Sequence, residues 1–298
     1  MEATILYGNG LNRLSKNPLD WNKLLHKLAQ EGNTVLNTEN KPYTMAYEEL
    51  FLSGQMDEET IKNKVVEYSK TIESNRFYEK LYALELKNYL TTNYDYAFEK
   101  IFEENNFKYE LNKNRERIYS VRTYVDVENH TKIWHIHGDI NRNHSISLGL
   151  DQYCGSIGKM NDYIKGKGDY KEVVKIEDKI QDISKYDSIS WIELFFNTDI
   201  HIIGQGMDFS ETDLWWILDK RARFLKRNNT SFYNKIYYYE ECMPETDSKS
   251  CTTCKKQLLN AFGVKYVQVK HDGKHWEKFW DDLFKILENN IVKRKKSA

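Results

Sequence analysis

The segment ILYGNGLNR, residues 5–13, decides the fold class. It predicts an apolar strand that runs directly into the turn Gly8-Asn9-Gly10. Glycines at the end of a strand let the backbone turn tightly and approach a pyrophosphate, whose charge is then held by free N–H groups where the next helix begins. A dinucleotide fingerprint would place a third glycine at position 13, where this chain has Arg13, a side chain that can contact phosphate directly. Taken alone, the motif fits a glycine turn without a ligand equally well.

Outward from this strand, short apolar runs alternate with longer amphipathic stretches. The apolar runs predict buried strands, and apolar residues spaced three and four apart predict helices. The predicted strands are Thr4–Tyr7, Tyr89–Thr92, Lys132–Ile136, His201–Ile203, Lys235–Tyr239 and Lys265–Val269. The predicted helices are Leu19–Gln30, Glu59–Leu86, Tyr96–Glu104, Ile189–Phe196, Thr212–Lys226 and Lys274–Leu287. This alternation predicts an α/β fold with a Rossmann-like parallel sheet and helices on both faces.

Two segments are too long for a simple alternation of strands and helices. About eighty residues separate the first two predicted strands, more than one crossover needs, so we expect a helical insertion at about residues 13–87. We expect a second insertion at about residues 155–190, which are rich in Lys, Asp and Tyr. Either insertion could form a lid or an assembly surface. We expect residues 1–298 to form a single domain that carries both insertions.

The charges of the chain are almost balanced. There are 44 Lys and Arg residues against 45 Asp and Glu residues, for a formal net charge of -1. No long-range field therefore attracts a polyanion, which argues against direct reading of nucleic acid. The chain starts without a leader pattern, and no stretch approaches the roughly 20 apolar residues of a membrane helix. We expect no membrane association.

The cysteines are few and unevenly spread. This usage argues for a reducing compartment, and the cytoplasm fits best. Cys251 and Cys254 form a Cys-x-x-Cys pair within a polar stretch, with Cys242 nearby and Cys154 far away in the sequence. Because a structural zinc needs four ligands, and no second paired motif lies near, we expect an ordinary exposed turn and no zinc.

The segment LTTNYDYAFE, residues 90–99, places polar residues where a strand ends. Asn93 and Asp95 are predicted to project from the carboxyl edge of the sheet, which is where ligands bind in open α/β sheets. The alternative is that either residue caps the helix that follows. Capping and ligand binding do not exclude each other.

The segment KIWHIHGDI, residues 132–140, offers a histidine at another strand end. His137 precedes Gly138, so its ring can point into the crevice while the glycine permits a sharp exit. Histidine suits a general base because its unperturbed pKa is close to neutral. His135 shares a strand face with His137, but no third ligand lies at a supporting spacing, so we expect no metal and a structural role for His135.

A second glycine turn follows a fourth strand in IHIIGQGMDFSETDLWWIL, residues 200–218. Gly204 and Gly206 allow close backbone approach to a ribose or an adenine, and a helix with an apolar face comes next. Four strand ends thus present small or polar groups at the same edge of the predicted sheet. Together they predict a nucleotide-sized site more strongly than any one motif does.

In this chain order the four motifs resemble the sirtuin-like family. The resemblance rests on Gly8-Asn9-Gly10, Thr92-Asn93-Tyr94-Asp95, His137-Gly138 and Ile203-Gly204-Gln205-Gly206 with Asp213. It looks closest to the sirtuin-like domains of bacterial anti-phage systems, which act as NAD hydrolases. The resemblance implies that Asn93 and His137 are catalytic, Asn93 beside the nicotinamide ribose and His137 at the ribose hydroxyls as base. It further implies an NAD-binding role for Gly8, Asn9, Gly10, Asp95, Gly204, Gln205 and Gly206.

One departure from the family changes the expected reaction. Protein deacetylases of the family carry a zinc module of two Cys-x-x-Cys pairs after the histidine, whereas only Cys154 lies between Gly138 and Ile203 here. We therefore expect an NAD glycohydrolase that releases nicotinamide and ADP-ribose, with NAD as substrate and no further cofactor. The alternatives are an NAD-dependent protein deacylase or ADP-ribosyltransferase, and a module that senses NAD or ADP-ribose without catalysis.

An enzyme that depletes NAD must be silent in a healthy cell. The chain offers no obvious second domain for sensing, so the resemblance implies a sensor or regulatory partner encoded nearby, assembly into homo-oligomers, or both. The expected helical insertions would supply the contact surfaces.

Overall fold

One mixed sheet forms the centre of the structure, and all six predicted strands belong to it. The computed structural model describes residues 2–114, 116–127, 131–228, 234–242 and 249–297, without the side chains of residues 249–253 and 293–297. Within these ranges the strands are β1 (Ala3–Tyr7), β2 (Asn88–Thr91), β3 (Tyr109–Leu111), β4 (Val125–Val127), β5 (Thr131–His135), β6 (Asp199–Ile203), β7 (Ile236–Cys242) and β8 (Val264–Lys270). Their order across the sheet is β3-β4-β5-β2-β1-β6-β7-β8.

The six predicted strands run parallel, and β3 and β4 do not. β4 pairs antiparallel with both β3 and β5, so the expectation of a purely parallel sheet is wrong at this edge. β3 and β4 each contain only three residues, too few to produce a periodic pattern in the sequence. An antiparallel edge on a parallel sheet is common in such folds. The Rossmann-like α/β class is confirmed.

Helices cover both faces of the sheet. In the described ranges they are α1 (Trp21–Glu31), α2 (Tyr43–Ser53), α3 (Glu58–Lys70), α4 (Arg76–Tyr82), α5 (Ala97–Glu104), α6 (Leu150–Lys165), α7 (Ile176–Gln181), α8 (Trp191–Asn197), α9 (Thr212–Asn228), α10 (Lys249–Ala261) and α11 (Trp276–Ser297). Along β1, Ile5 and Tyr7 point into a core with α4, α5 and α11, while Leu6 points into the opposite core with α6, α8 and α9. The expectation of helices on both faces is therefore confirmed.

The predicted helix Glu59–Leu86 is wrong, because α3 and α4 are separate helices. Asn75 ends the break between them, and its side-chain oxygen accepts a hydrogen bond from the N–H of Phe77 at 2.9 Å, which caps α4. The two helices also pack into different hydrophobic cores. Val65 of α3 packs with α1 and α2, whereas Phe77 of α4 packs under the sheet. Because the apolar spacing continues through the break, the pattern does not reveal that the chain changes direction between α3 and α4.

The exposed turn expected at the Cys-x-x-Cys pair is a helix instead. Cys251 and Cys254 lie in the first turns of α10, and Cys254 is exposed. Further along this helix Lys256 and Gln257 are exposed, and Leu259, which is fully buried, anchors the helix to the core. Among the described residues, no helix is both long and apolar enough to cross a bilayer.

The site is positioned by the point at which the strand order reverses. Numbered in chain order, the six parallel strands lie as 3-2-1-4-5-6, so that β1 and β6 are neighbours whose chains continue to opposite sides. In open α/β sheets the ligand crevice forms at the carboxyl ends of such a pair. The two glycine turns follow β1 and β6, and they meet there.

The glycines of these turns are required by the contact between the turns themselves. The N–H of Gly8 donates to the carbonyl of Ile203 at 3.1 Å, and the N–H of Gly10 donates to that of Gly204 at 2.7 Å. A Cβ on Gly10 would lie 2.6 Å from the Cα of Gly204, and a Cβ on Gly8 would lie 2.6 Å from Oε1 of Gln205. Gly204 also has a φ of +59°, a conformation that favours glycine.

We predict that Gly10→Ala lowers the free energy of unfolding by about 1–3 kcal/mol, because the added methyl group must push the two turns apart. Urea unfolding measures the change. Gly158→Ala is the matched control, since a Cβ there meets nothing within 4 Å and the residue lies inside α6. That variant should be more stable by about 0.5–1 kcal/mol. Equal effects at the two positions would contradict the packing argument.

Candidate active site

A crevice opens at the carboxyl ends of β1 and β6. It consists of an inner chamber of about 70 Å³ and an outer chamber of about 510 Å³. The outer volume lies in the range of small-molecule sites. Both chambers are lined by Asn9, Asp20, Trp21, Gln205 and Glu211. The inner chamber alone is also lined by Thr92, Asn93, Tyr94, Asp95 and His137, and the outer chamber alone by Gly10, Arg13, Gly204 and Gly206.

Asn93 presents an unused hydrogen-bond donor to the inner chamber. Its backbone is fixed, because the N–H donates to Oγ1 of Thr91 at 3.0 Å and the carbonyl accepts from Nδ1 of His135 at 2.9 Å. The side-chain Nδ2 is buried without a hydrogen-bond partner. A buried donor left unpaired costs about 1–3 kcal/mol, so the amide is poised to donate to a ligand.

His135 holds Asn93 in place. Its Nε2 lies 2.7 Å from the carboxylate of Glu99 on α5, and its Nδ1 donates to the Asn93 carbonyl. Burial lowers the pKa of His135, but the charge and hydrogen bond of Glu99 outweigh burial and raise the pKa to about 9. Both ring nitrogens are therefore occupied within the protein. His135 is a positioning residue for the first candidate catalytic residue.

His137 reaches the same chamber and is held by acidic groups. Its Nε2 lies 3.0 Å from Oδ2 of Asp213, and its Nδ1 lies 3.3 Å from the hydroxyl of Tyr153 and 3.8 Å from Oε2 of Glu211. Burial lowers the pKa of His137, but Asp213 and then Glu211 raise it, and the net shift is upward. This direction favours the imidazolium, which donates protons and does not accept them.

Asp95 lines the inner chamber, but both of its oxygens are already bound within the protein. Oδ1 accepts from the N–H of Ala97 at 3.0 Å, at the start of α5, and Oδ2 accepts from the side-chain amide of Asn12 at 2.7 Å. Burial raises the pKa of this carboxyl group. Asp95 thus binds the N-terminus of α5, which is the capping alternative that the sequence offered. A contact with nicotinamide stays a prediction.

The glycine turns differ from the expectation in one respect. We expected free N–H groups after Gly8-Asn9-Gly10, yet the N–H groups of Gly8 and Gly10 bind β6, and those of residues 11–13 donate to the carbonyls of residues 8–10. The expectation of a free helix start is wrong, because the turns close on each other and on a tight 3-10 turn. Gly206 differs from them, since a Cβ built there meets nothing within 4 Å.

Asn9 and Gln205 are brought together across both chambers. The Asn9 side chain fixes the loop, because its Nδ2 donates to the carbonyl of Leu19 at 2.6 Å and its Oδ1 accepts from Asn12. Gln205 instead has a buried Nε2 without a hydrogen-bond partner. Among the predicted binding residues, Gln205 therefore offers the second unused donor of the crevice.

Two acidic residues were not predicted as site residues. Asp213 entered only as part of the motif pattern, and Glu211 was not considered. Both are buried at the start of α9, one on each side of Thr212. A signal was present in the sequence, because two carboxylates directly after a glycine turn and before an apolar helix lie at the ligand edge of the sheet.

His137, Glu211 and Asp213 offer ligand atoms that lie within 4.8 Å of one another, close enough to surround a metal ion. Among the described residues, these three form the group that meets this distance criterion. The 3.0 Å contact between His137 and Asp213 has the length of an ordinary N–H···O hydrogen bond. We therefore interpret the trio as a hydrogen-bonded acid–base group.

Comparisons with known proteins find two similarities. Residues 87–187, which include Asn93, Asp95 and His137, match the family of SIR2-like domains. The chain is similar to the NAD(+) hydrolase ThsA of Bacillus cereus (strain MSX-D12), with 27% identity over 298 residues that cover 97% of this chain and 54% of that protein. This chain thus spans about half the length of that curated relative. The resemblance to sirtuin-like proteins is confirmed.

The pairing of His135 with Glu99 predicts a pH dependence of stability. The pKa of His135 is about 9 when folded and near 6.5 when unfolded, so the stability that it contributes is fully present below pH 6.5. This contribution, about 3 kcal/mol, should be lost as the pH rises through 9. Urea unfolding across this range measures it. Glu99→Gln should be less stable at pH 6 and lack this fall, and an equal fall in the variant would contradict the assignment.

Proposed function

We propose that this protein hydrolyses NAD at the bond between nicotinamide and ribose, giving nicotinamide and ADP-ribose. The observation that carries the proposal is the inner chamber, where the unpaired Nδ2 of Asn93 and the ring of His137 line one small space. The SIR2-like match and the similarity to an NAD(+) hydrolase support the choice of substrate.

The reaction suits so small a set of groups. The nicotinamide of NAD leaves as a neutral ring, so no acid must protonate it. The barrier is the formation of an oxocarbenium-like ribose, as in other glycosidic cleavages. The protein must orient the ribose, exclude bulk water and stabilise positive charge. Asn93 can donate to a ribose hydroxyl, and His137 can bind the ribose diol.

In this proposal each chamber holds a different part of the dinucleotide. The nicotinamide ribose occupies the inner chamber, and the rest of the molecule lies in the outer chamber. Arg13 lines the outer chamber and can neutralise the pyrophosphate, a role that the closed glycine turns leave to side chains. Trp276 and Tyr238 line the same chamber and offer apolar faces to an adenine ring.

We predict that Asn93→Ala and His137→Ala each lower the rate of NAD hydrolysis at least 100-fold, since each removes a group that orients the reacting ribose. Chromatography of nicotinamide and ADP-ribose measures the rate, with no acyl-lysine or acceptor protein present. His144→Ala is the control, because this histidine is exposed and lines neither chamber. Variants with full activity would contradict the assignment, and a strict need for an acyl acceptor would favour a deacylase.

The proposal extends to the biological role. We propose that the protein is a NAD-depleting effector of anti-phage defence that ends growth of the infected cell, as the sequence resemblance implies. Such an activity must be restrained, so we propose a regulatory partner, self-assembly or both. The proposed contact surface is the segment from α1 to α3, which lies between β1 and β2. It presents the exposed side chains of Val35, in the connection between α1 and α2, and of Leu52, in α2.

Light scattering coupled to size exclusion tests this restraint. We expect the purified chain to be a monomer without activity that gains activity with its partner, or an oligomer whose activity depends on assembly. Activity is measured on the same fractions. A lone monomer with full NAD hydrolase activity would contradict the proposed restraint while leaving the reaction itself intact.

A further inference from the structure

Glu211 lies where the two chambers meet. It is the last residue before α9, its exposure is 8%, and it lines both the inner and the outer chamber. Its Oε2 is buried without a hydrogen-bond partner. A buried carboxylate oxygen that faces a cavity and bonds to nothing is an acceptor available to a bound molecule.

The groups around Glu211 tune its proton affinity. Burial raises its pKa to about 7, the charge of His137 opposes this shift, and the charges of Asp213 and Asp208 add to it. The neighbouring side chain of Gln205, which also lines both chambers, lowers the pKa of Glu211. Tyr94 and Tyr153 also face the carboxylate and stay protonated, because burial raises the pKa of both hydroxyl groups. A base with a pKa near the working pH is the most effective proton acceptor.

His137 is poorly placed for that task. One of its nitrogens bonds to Asp213 at 3.0 Å, and the resulting upward shift of its pKa favours the form that has no lone pair to offer. The Asp213 contact thus holds the histidine as a cation or as a hydrogen-bond donor. Glu211, 3.8 Å from the other ring nitrogen, is the neighbouring group that can accept a proton.

We propose that Glu211, and not His137, is the general base, which takes a proton from the water that attacks C1′ of the nicotinamide ribose. The proposal rests on the NAD hydrolysis proposed above. As the C1′–N bond breaks, its electron pair leaves with nicotinamide, which becomes neutral. The water oxygen bonds to C1′, one water proton passes to the carboxylate of Glu211, and the other stays on the new hydroxyl group of ADP-ribose. The proton then leaves to solvent.

The test compares Glu211→Gln with Asp219→Asn in steady-state NAD hydrolysis across pH 5–9. Asp219 lies further along α9, lines neither chamber and accepts a hydrogen bond from Arg223, which an asparagine oxygen can also accept. Both variants lose one carboxylate charge. We expect kcat of Glu211→Gln to fall at least 100-fold with little change in KM, and the rise of kcat with pH near 7 to disappear. Asp219→Asn should keep the rate and the pH profile within a few-fold.

Chemical rescue separates a base from a merely structural residue. Glu211→Ala leaves room for a small carboxylate, and added formate should restore the hydrolysis rate at least tenfold, while it should do nothing for His137→Ala. Thermal unfolding confirms that each variant is folded. Full activity or an unchanged pH profile in Glu211→Gln, or absence of rescue in folded Glu211→Ala, would overturn the role of Glu211 but not the reaction. A parent protein that releases no nicotinamide would instead overturn the proposed function, and with it this role.

Discussion

Two backbone hydrogen bonds join the loops after β1 and β6, and the geometry of the crevice depends on them. They run from Gly8 to Ile203 and from Gly10 to Gly204, and they form only because no Cβ separates the two turns. With the turns locked together, the residues that follow each strand project into a shared space. The glycines therefore shape the site through packing between loops, and their N–H groups are used within the protein.

Buried charge is the second constraint, and the two histidines at the end of β5, His135 and His137, are paired in different ways. His135 is paired with Glu99 and the carbonyl of Asn93, so its charge is fully compensated and its effect is structural. His137 is paired with Asp213 on one side and faces Glu211 on the other, at the wall of a cavity. His135, the last residue of β5, thus positions Asn93, and His137, two residues further on, lines the inner chamber.

The features that could be predicted from the sequence are those that depend on the local pattern of residues. All six long apolar runs became strands, and Asn93 and His137 do line one chamber. It could not predict the edge strands, which are too short to show a period, or the break before α4, where the apolar spacing continues while the chain changes core. It also missed Glu211, because the burial of that carboxylate depends on helices distant in sequence. Pairing between loops, as at Gly10, is likewise a tertiary property.

The helices inserted between β1 and β2 pack against the loops that form the site. Helices α1–α3 share one apolar core with Ile146 and Leu148, which follow His137, and with Tyr94, which follows Asn93. The hydroxyl of Tyr94 donates to the carbonyl of Ser147 at 2.7 Å, which ties the loop after β2 to the loop after β5. Close-packed cores transmit displacement because they contain few voids. Helices α1–α3 are therefore packed against both loops that carry the candidate catalytic residues.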